Sequence, residues 1–268
     1  MSQIDLATDK IQARIDDEGI GWIVFNNPAR HNAMSLEMWQ GVGDALERYQ
    51  SDDRVRVVVL RGAGGKAFIS GADISEFDSK RGNAEQKASY EKTMGRSNRR
   101  LATFEKPMIA FIEGYCIGGG LATALHADIR IATPDATFGI PAAKLGLGYD
   151  YSGLAKLTRV VGPANARDIM FSARFMNTEE AMHMGVINFV FPREEIEAET
   201  IAYAQRIARN APMTVAAAKA AINAWEAGER EEDLKRVTDL VNACFDSQDY
   251  KEGRRAFKEK RTPDFEGR

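Results

Sequence analysis

Between Ile11 and Asn26 apolar and polar residues alternate in two runs on either side of Asp17-Glu18-Gly19. A period of two puts one face of a strand in a core, and the Asp-Glu-Gly break predicts the tight turn of a β-hairpin. Over Ser35 to Tyr49 the period lengthens, with Leu36, Met38, Val42, Ala45 and Leu46 recurring at helical spacing behind Ser35, a residue suited to capping. Val55 to Leu60 is a short β-branched run closed by Arg61-Gly62-Ala63-Gly64-Gly65, which predicts a buried strand and a turn. A second strand is expected at Ala67 to Ser70.

The stretch from Glu85 to Phe104 is polar and rich in helix formers, so it predicts an exposed helix. Met108 to Glu113, after Pro107, is an apolar strand pattern leading into Gly118-Gly119-Gly120 and then the helix-forming run Leu121 to Leu125. Asp128 to Thr133 predicts another strand, and the first half therefore reads as stacked βα units of an α/β protein. Beyond Gly153 the pattern is helical over Leu154–Val161, Ala164–Ser172, Thr178–Met184, Arg193–Asn210, Thr214–Ala227 and Glu231–Asp246, interrupted by one candidate strand at Val186–Phe191. A soft boundary near residue 190 separates an alternating core, 1–190, from a helical region, 191–268. No internal repeat or low-complexity stretch is visible.

The composition changes this picture little. The 268 residues are 44% hydrophobic and 28% charged, with a net charge of −3, which is globular and offers no basic excess for a nucleic-acid backbone. Two distant cysteines, Cys116 and Cys244, suit free thiols in a reducing compartment. The start of the chain lacks a charged-then-apolar leader and no run is long enough to cross a membrane, so a cytoplasmic protein is expected. Three histidines, His31, His126 and His183, show no metal-ligand spacing, and no metal or separate cofactor is expected. Cys116 has no evident base beside it and reads as a small core residue.

The chemistry-bearing pattern lies in the glycines. A glycine triplet between strand and helix exposes amides at a helix start, and such amides stabilise a developing oxyanion when a second donor joins them. Ser70-Gly71-Ala72-Asp73 supplies a candidate second donor, because Gly71 permits a turn that presents the Ala72 amide. Three segments occur in order: Asn27-Pro28-Ala29-Arg30-His31-Asn32-Ala33, Ala67-Phe68-Ile69-Ser70-Gly71-Ala72-Asp73-Ile74, and Glu113-Gly114-Tyr115-Cys116-Ile117-Gly118-Gly119-Gly120. Together with Ala132 to Gly139 and Ala181 to Ile187, they resemble the enoyl-CoA hydratase/isomerase family, the crotonase superfamily, over about Ile11 to Arg261.

The resemblance implies a crotonase-like spiral of ββα units with a C-terminal helical region that forms trimers, commonly paired into hexamers. It implies an acyl-coenzyme A thioester as substrate, coenzyme A being part of that substrate. By the same resemblance Ala72 and Gly119 supply the oxyanion-hole amides. Ala29, Arg30, Phe68, Ser70, Gly71, Asp73, Ile74 and Gly118 belong to the substrate-binding segments, the backbone from Phe68 to Gly71 serving there. Arg30 suits a phosphate because its guanidinium is a planar fork of donors. Phe257 and Lys258 resemble positions that reach a neighbouring subunit's nucleotide site.

The sequence departs from the family where a hydratase carries two glutamates: Ala122 and Ala142 stand there, and neither moves a proton. The acidic residue left in that frame is Asp150, between Tyr149 and Tyr151, at a position resembling the catalytic aspartate of dienoyl-CoA isomerases and aryl-CoA dehalogenases. Partial desolvation between the tyrosines would suit Asp150 to the role of general base. Tyr149 and Tyr151 are candidate proton donors or pocket walls. The expectation is an isomerase or lyase working through an enolate. The alternatives are hydration through Asp150, decarboxylation or hydrolysis on the same scaffold, and a noncatalytic acyl-CoA binder.

Overall fold

The computed structural model describes residues 2–73, 75 and 84–268. Its larger sheet begins with β1 (Ser2–Ile4), β2 (Ile11–Ile15) and β3 (Ile20–Phe25), all antiparallel, β2 and β3 forming the predicted hairpin. To β3 are added, in parallel, β4 (Val57–Gly62), β6 (Met108–Ile112), β8 (Ile129–Ala132) and β10 (Phe189–Val190). A second, smaller parallel sheet holds β5 (Ala67–Ile69), β7 (Tyr115–Ile117) and β9 (Thr137–Gly139) in that order. The chain alternates between the two: β4 turns into β5, β6 into β7, β8 into β9. Between these pairs run α2 (Ala84–Thr103) and α3 (Gly119–Ala124), which completes the ββα spiral.

The central parallel strands β4 and β6 are buried on both faces, which is why they read as continuous apolar runs. Along β4, Val58 and Leu60 face the main core while Val57 and Val59 face a second cluster with Ile20, Trp22, Ile109, Phe111 and Ile131. That second cluster is covered by α6 (Ile196–Ala208) through Ile196 and Ala204. On the other side lies α1 (Leu36–Ser51), whose N-cap Ser35 accepts the Met38 amide and whose Met38, Trp39, Val42, Ala45 and Leu46 enter the main core. The two helices predicted on either side of Gly162 are both present within Tyr151–Ser172, together labelled α4, and are separated by a kink with non-helical φ/ψ at Gly162 before Pro163. The chain continues through α5 (Thr178–His183) and, after α6, through α7 (Pro212–Glu226), α8 (Glu231–Asp246) and α9 (Gln248–Glu259).

Two expectations are corrected. The helix at 84–103 is not simply exposed: Tyr90, Ser97 and Leu101 are buried, and the Ser97 hydroxyl donates to the Trp39 carbonyl at 2.6 Å. That crossing is tight because it runs over Gly43, where a Cβ would lie 2.8 Å from Ser97 Oγ. The order strand, glycine turn, helix before Leu121 also lacks a step, since β7 stands between the turn at Glu113-Gly114 and the triplet. Among the described residues no helix is long and apolar enough to cross a membrane.

In the turn between β6 and β7, position 114 leaves no room for a side chain. Gly114 has φ +63° and a Cβ there would lie 2.1 Å from the Lys66 carbonyl oxygen, whereas Gly146, at φ +61°, faces open space. Gly146→Ala therefore carries backbone strain alone and costs about 1 kcal/mol, while Gly114→Ala adds a backbone collision and costs more than about 3 kcal/mol. Chemical unfolding of the two variants beside the parent protein checks the difference.

Candidate active site

The C-terminal ends of β5 and β7 converge. β5 runs into Ser70-Gly71-Ala72, and β7 runs into Gly118, whose φ of 57° and ψ of −117° turn the chain into α3. The two turns touch: a Cβ on Gly118 would lie 3.9 Å from the Gly71 Cα, and one on Gly71, at φ +125°, would lie 3.7 Å from the Ile117 carbonyl oxygen. One residue on, Gly120 is pressed against β5, with a Cβ placed only 2.1 Å from the Ile69 carbonyl oxygen. Gly119 between them has nothing within 4 Å of its Cβ direction. The triplet thus packs through Gly120, turns through Gly118 and opens at Gly119.

Hydrogen bonds fix the carriers of the two amides. Met34 donates to the Gly71 carbonyl at 2.8 Å and Asp73 donates to the Met34 carbonyl at 3.0 Å, so Ala72 lies between two fixed neighbours. Gly118 donates to the Gly139 carbonyl at 2.7 Å, and the Thr123 hydroxyl donates to the Gly119 carbonyl at 2.8 Å. Among the described residues, the Ala72 and Gly119 amides have no acceptor of their own. Two unpaired donors on adjoining, well-held turns are what an oxyanion hole requires.

The first loop is laced to the same place. Ala29 and Arg30 lie on an exposed 3-10 turn, Pro28–Arg30, while Ser70 donates from its amide to the His31 carbonyl at 3.1 Å and from its hydroxyl to the Arg30 carbonyl at 3.4 Å. The residue that anchors this loop is Asn32, which belongs to the Asn27–Ala33 segment but is not among the expected site residues. It is fully buried at φ +56°, accepts the Asn27 amide, and donates to the Ala63 and Ala67 carbonyls at 3.0 and 2.7 Å. An asparagine in a polar loop is a usable signal, since Asn tolerates the left-handed region and its amide can bridge several backbones.

Other expected residues fall differently. The Phe68 side chain is in the core, edge-on to Phe25 at 5.3 Å, so only its backbone is available to a ligand. Asp73 accepts the Ser75 amide and hydroxyl at 3.0 and 2.6 Å. Ile74 lies outside the described residues. Asp150 is exposed and caps α4, accepting the Ser152 amide at 3.1 Å; Tyr151 beside it is 82% exposed, so within one chain the tyrosines do not enclose the carboxylate. Tyr149 turns inward against the main core, and burial pushes its phenol up to about 12. Phe257 and Lys258 sit exposed on α9, and Phe257 is 86% exposed.

The two alanines lie on the elements that follow β7 and β9. Ala122 is half-buried, one turn into α3, and Ala142 is buried in the 3-10 turn Pro141–Leu145 that follows β9. Burial pushes the Cys116 thiol well up from its ordinary value, which leaves it an inert core group. Among the described residues no three His, Cys, Asp or Glu side chains gather as metal ligands.

A family model described as enoyl-CoA hydratase/isomerase matches residues 16–268. The chain is 33% identical over 248 residues to a short-chain-enoyl-CoA hydratase of Clostridium acetobutylicum, covering 92% of this chain and 94% of that protein. It is 31% identical to a crotonyl-CoA hydratase of Syntrophomonas wolfei, over 93% and 95% of the two chains. Among solved structures, an enoyl-CoA hydratase/carnithine racemase from Magnetospirillum magneticum superposes with a TM-score of 0.91 at 38% identity, over 99% of this chain and 97% of that one.

His126 closes the far end of α3. Burial, with Lys156 adding to it, pushes its imidazole down to about 4 from an ordinary 6.5. Between those values the unfolded chain binds the proton and the folded one does not, so stability falls as pH falls from 6.5 to 4 and levels off below. In His126→Gln that acid-side loss shrinks by about 2–3 kcal/mol, as read from denaturant titrations at stepped pH.

Proposed function

The chain belongs to the enoyl-CoA hydratase/isomerase family, and from that premise we propose that it binds an acyl-coenzyme A thioester and stabilises its enolate with the Ala72 and Gly119 amides. The observation that carries this reading is the pair of unpaired amides on touching turns, opening where Gly119 meets free space. As a base removes the proton beside the carbonyl, the C–H electron pair becomes the enolate double bond and the carbonyl oxygen takes the negative charge. Preorganised amides at that oxygen lower the barrier because they need no reorientation as the charge grows, each contributing about 3 kcal/mol.

Ala122 and Ala142 remove the two-carboxylate route to adding water at the usual places. The reading is therefore isomerisation or lyase chemistry with Asp150 as base. Asp150 is an exposed carboxylate, and it starts α4 just after the turn that carries Ala142. Arg30, exposed on its 3-10 turn and without an ion pair among the described residues, is the group we assign to a phosphate of the coenzyme. Hydration is the second reading, favoured by the names of the relatives at 31–33% identity; in it Asp150 activates the water instead.

Assembly belongs to the same reading. α8 has no buried residue, and Trp225, Phe245 and Phe257 on the C-terminal helices are 70%, 59% and 86% exposed, an apolar surface that further copies of the chain cover in a trimer. Phe245→Arg is expected to lower the sedimenting mass toward the single chain, and an unchanged mass would move the interface elsewhere.

The deciding test is mass-spectrometric exchange in heavy water of the proton the thioester acidifies, at the α carbon of butyryl-CoA, at the γ carbon of crotonyl-CoA, and at the corresponding saturated carbon of a dienoyl-CoA. The parent protein is expected to exchange at least one of them, and Asp150→Asn to lose about 100-fold or more of that rate. Exchange at the parent rate in Asp150→Asn removes Asp150 from the mechanism. Tight binding of all three without exchange favours a noncatalytic acyl-CoA binder. Asp150-dependent consumption of crotonyl-CoA with uptake of water selects hydration.

A further inference from the structure

The strands of the small sheet are each entered through a turn, and one side chain reaches all three turns. Arg193, in the loop between β10 and α6, donates through Nη1 to the Gly65 carbonyl and to Glu113 Oε1, both at 2.8 Å, and through Nη2 to Asp135 Oδ2 at 2.7 Å. Gly65 belongs to the turn into β5, Glu113 to the turn into β7 and Asp135 to the turn into β9. The approach to the first turn depends on glycine: Gly65 has φ +64°, and a Cβ there would lie 3.0 Å from Arg193 Nη1. The cluster is itself anchored to the large sheet, since Arg61 on β4 pairs with Glu113 at 3.6 Å and with Glu197 of α6 at 3.1 Å.

The opposite ends of the same three strands lead to Ala72, Gly119 and Ala142. Each strand is three residues long, a rise of about 10 Å, so the tie and the site sit at the two ends of one short ladder. That ladder is a weak guide to register. β5 meets β7 only at Ala67↔Tyr115 and Ile69↔Cys116, with an irregularity between them. A slip of one residue shifts a strand by about 3.3 Å, more than the hydrogen bonds of an oxyanion hole tolerate. A planar guanidinium with several donors in fixed directions holds three acceptors in one mutual arrangement, which a flexible ammonium does not.

We propose that Arg193 is a positioning residue for the oxyanion hole: by tying the Gly65, Glu113 and Asp135 turns together it sets the relative register of β5, β7 and β9, and with it the distance between the Ala72 and Gly119 amides. The proposal rests on the enolate reading above. The Arg193 pairs are partly exposed and contribute little to global stability; their effect is on geometry at the far end of the sheet.

The test uses the full-length protein with butyryl-CoA labelled with carbon-13 at the carbonyl, and compares Arg193→Ala, Arg193→Lys and Asp135→Asn with the parent. Arg174→Ala is the control, because Arg174 bridges Asp168 and Glu180 at similar exposure without touching the turns. Two quantities are read: the saturating α-proton exchange rate against KM, and the infrared carbonyl stretch of the bound thioester, which reports how strongly the hole polarises it. Arg193→Ala is expected to lose about tenfold of the saturating rate and to raise the carbonyl stretch, with KM changed by about twofold or less. Arg193→Lys follows the alanine variant, Asp135→Asn falls between, and Arg174→Ala matches the parent. A folded Arg193→Ala with the parent's rate and carbonyl stretch overturns the proposal. If that variant does not fold, Asp135→Asn with unchanged rate and stretch overturns it. A parent protein that binds the thioester but neither exchanges its proton nor shifts its carbonyl refutes the enolate reading itself, and the positioning role falls with it.

Discussion

Everything at the candidate site depends on backbones that approach more closely than side chains permit. A Cβ would fall 2.0 Å from the Ala67 carbonyl oxygen at Gly62, 2.1 Å from that of Lys66 at Gly114 and 2.1 Å from that of Ile69 at Gly120. These contacts seat the small sheet against the turns of the large one. A β-carbon at these places would displace β5 or its entry turn from β4 at Gly62, from the turn into β7 at Gly114 and from the start of α3 at Gly120. The glycines are thus an integral part of the site even though none carries a functional group.

The remaining structure supports that close approach from both sides. The large sheet is buried on two faces, by the main core and by the cluster under α6, so the strands that feed the turns have little freedom. Asn32 holds the first loop to the Ala63 and Ala67 carbonyls, and the Thr178 hydroxyl reaches the Thr133 and Ala136 carbonyls at 3.0 and 3.1 Å, fixing the turn before β9. Each of these polar side chains is buried and satisfied by backbone carbonyls, the arrangement that makes a turn rigid at little cost in exposed surface.

The parts of this arrangement that were legible in the sequence were those with a period or a motif. The β2–β3 hairpin, α1 with its Ser35 cap, and the apolar runs of β4 and β6 follow from spacing alone. The glycine segments around Gly71 and Gly119 were visible as motifs, and the structure brings them into contact. What carries no signal in the sequence is short or three-dimensional. β7 and β9 have three residues each, too few to show an alternation. The buried stripe of α2 was hidden because it meets α1 through the small residues Ser97 and Gly43. Asn32 lies inside the Asn27–Ala33 segment, but neither its anchoring role nor that of Arg193 shows in the sequence, because each bridges segments distant in the chain: Arg193 bonds Gly65, 128 positions away.

A site whose stabilising donors are main-chain amides responds to substitution in a particular way. No replacement short of proline deletes the Ala72 or Gly119 N–H, so these two donors survive changes that abolish a given acid or base. Ala122 and Ala142 illustrate the consequence. Two carboxylates flanking the opening would add negative charge near an oxygen that is itself becoming negative, and their attraction for water would keep the site polar. Alanines there, one half-buried and one buried, leave the amides in a less polar surrounding, where each hydrogen bond to a developing charge is worth more. On the enolate reading, alanine at both places narrows the chemistry without removing either amide, and the reaction would then be decided by whatever proton-transfer group lies beyond them.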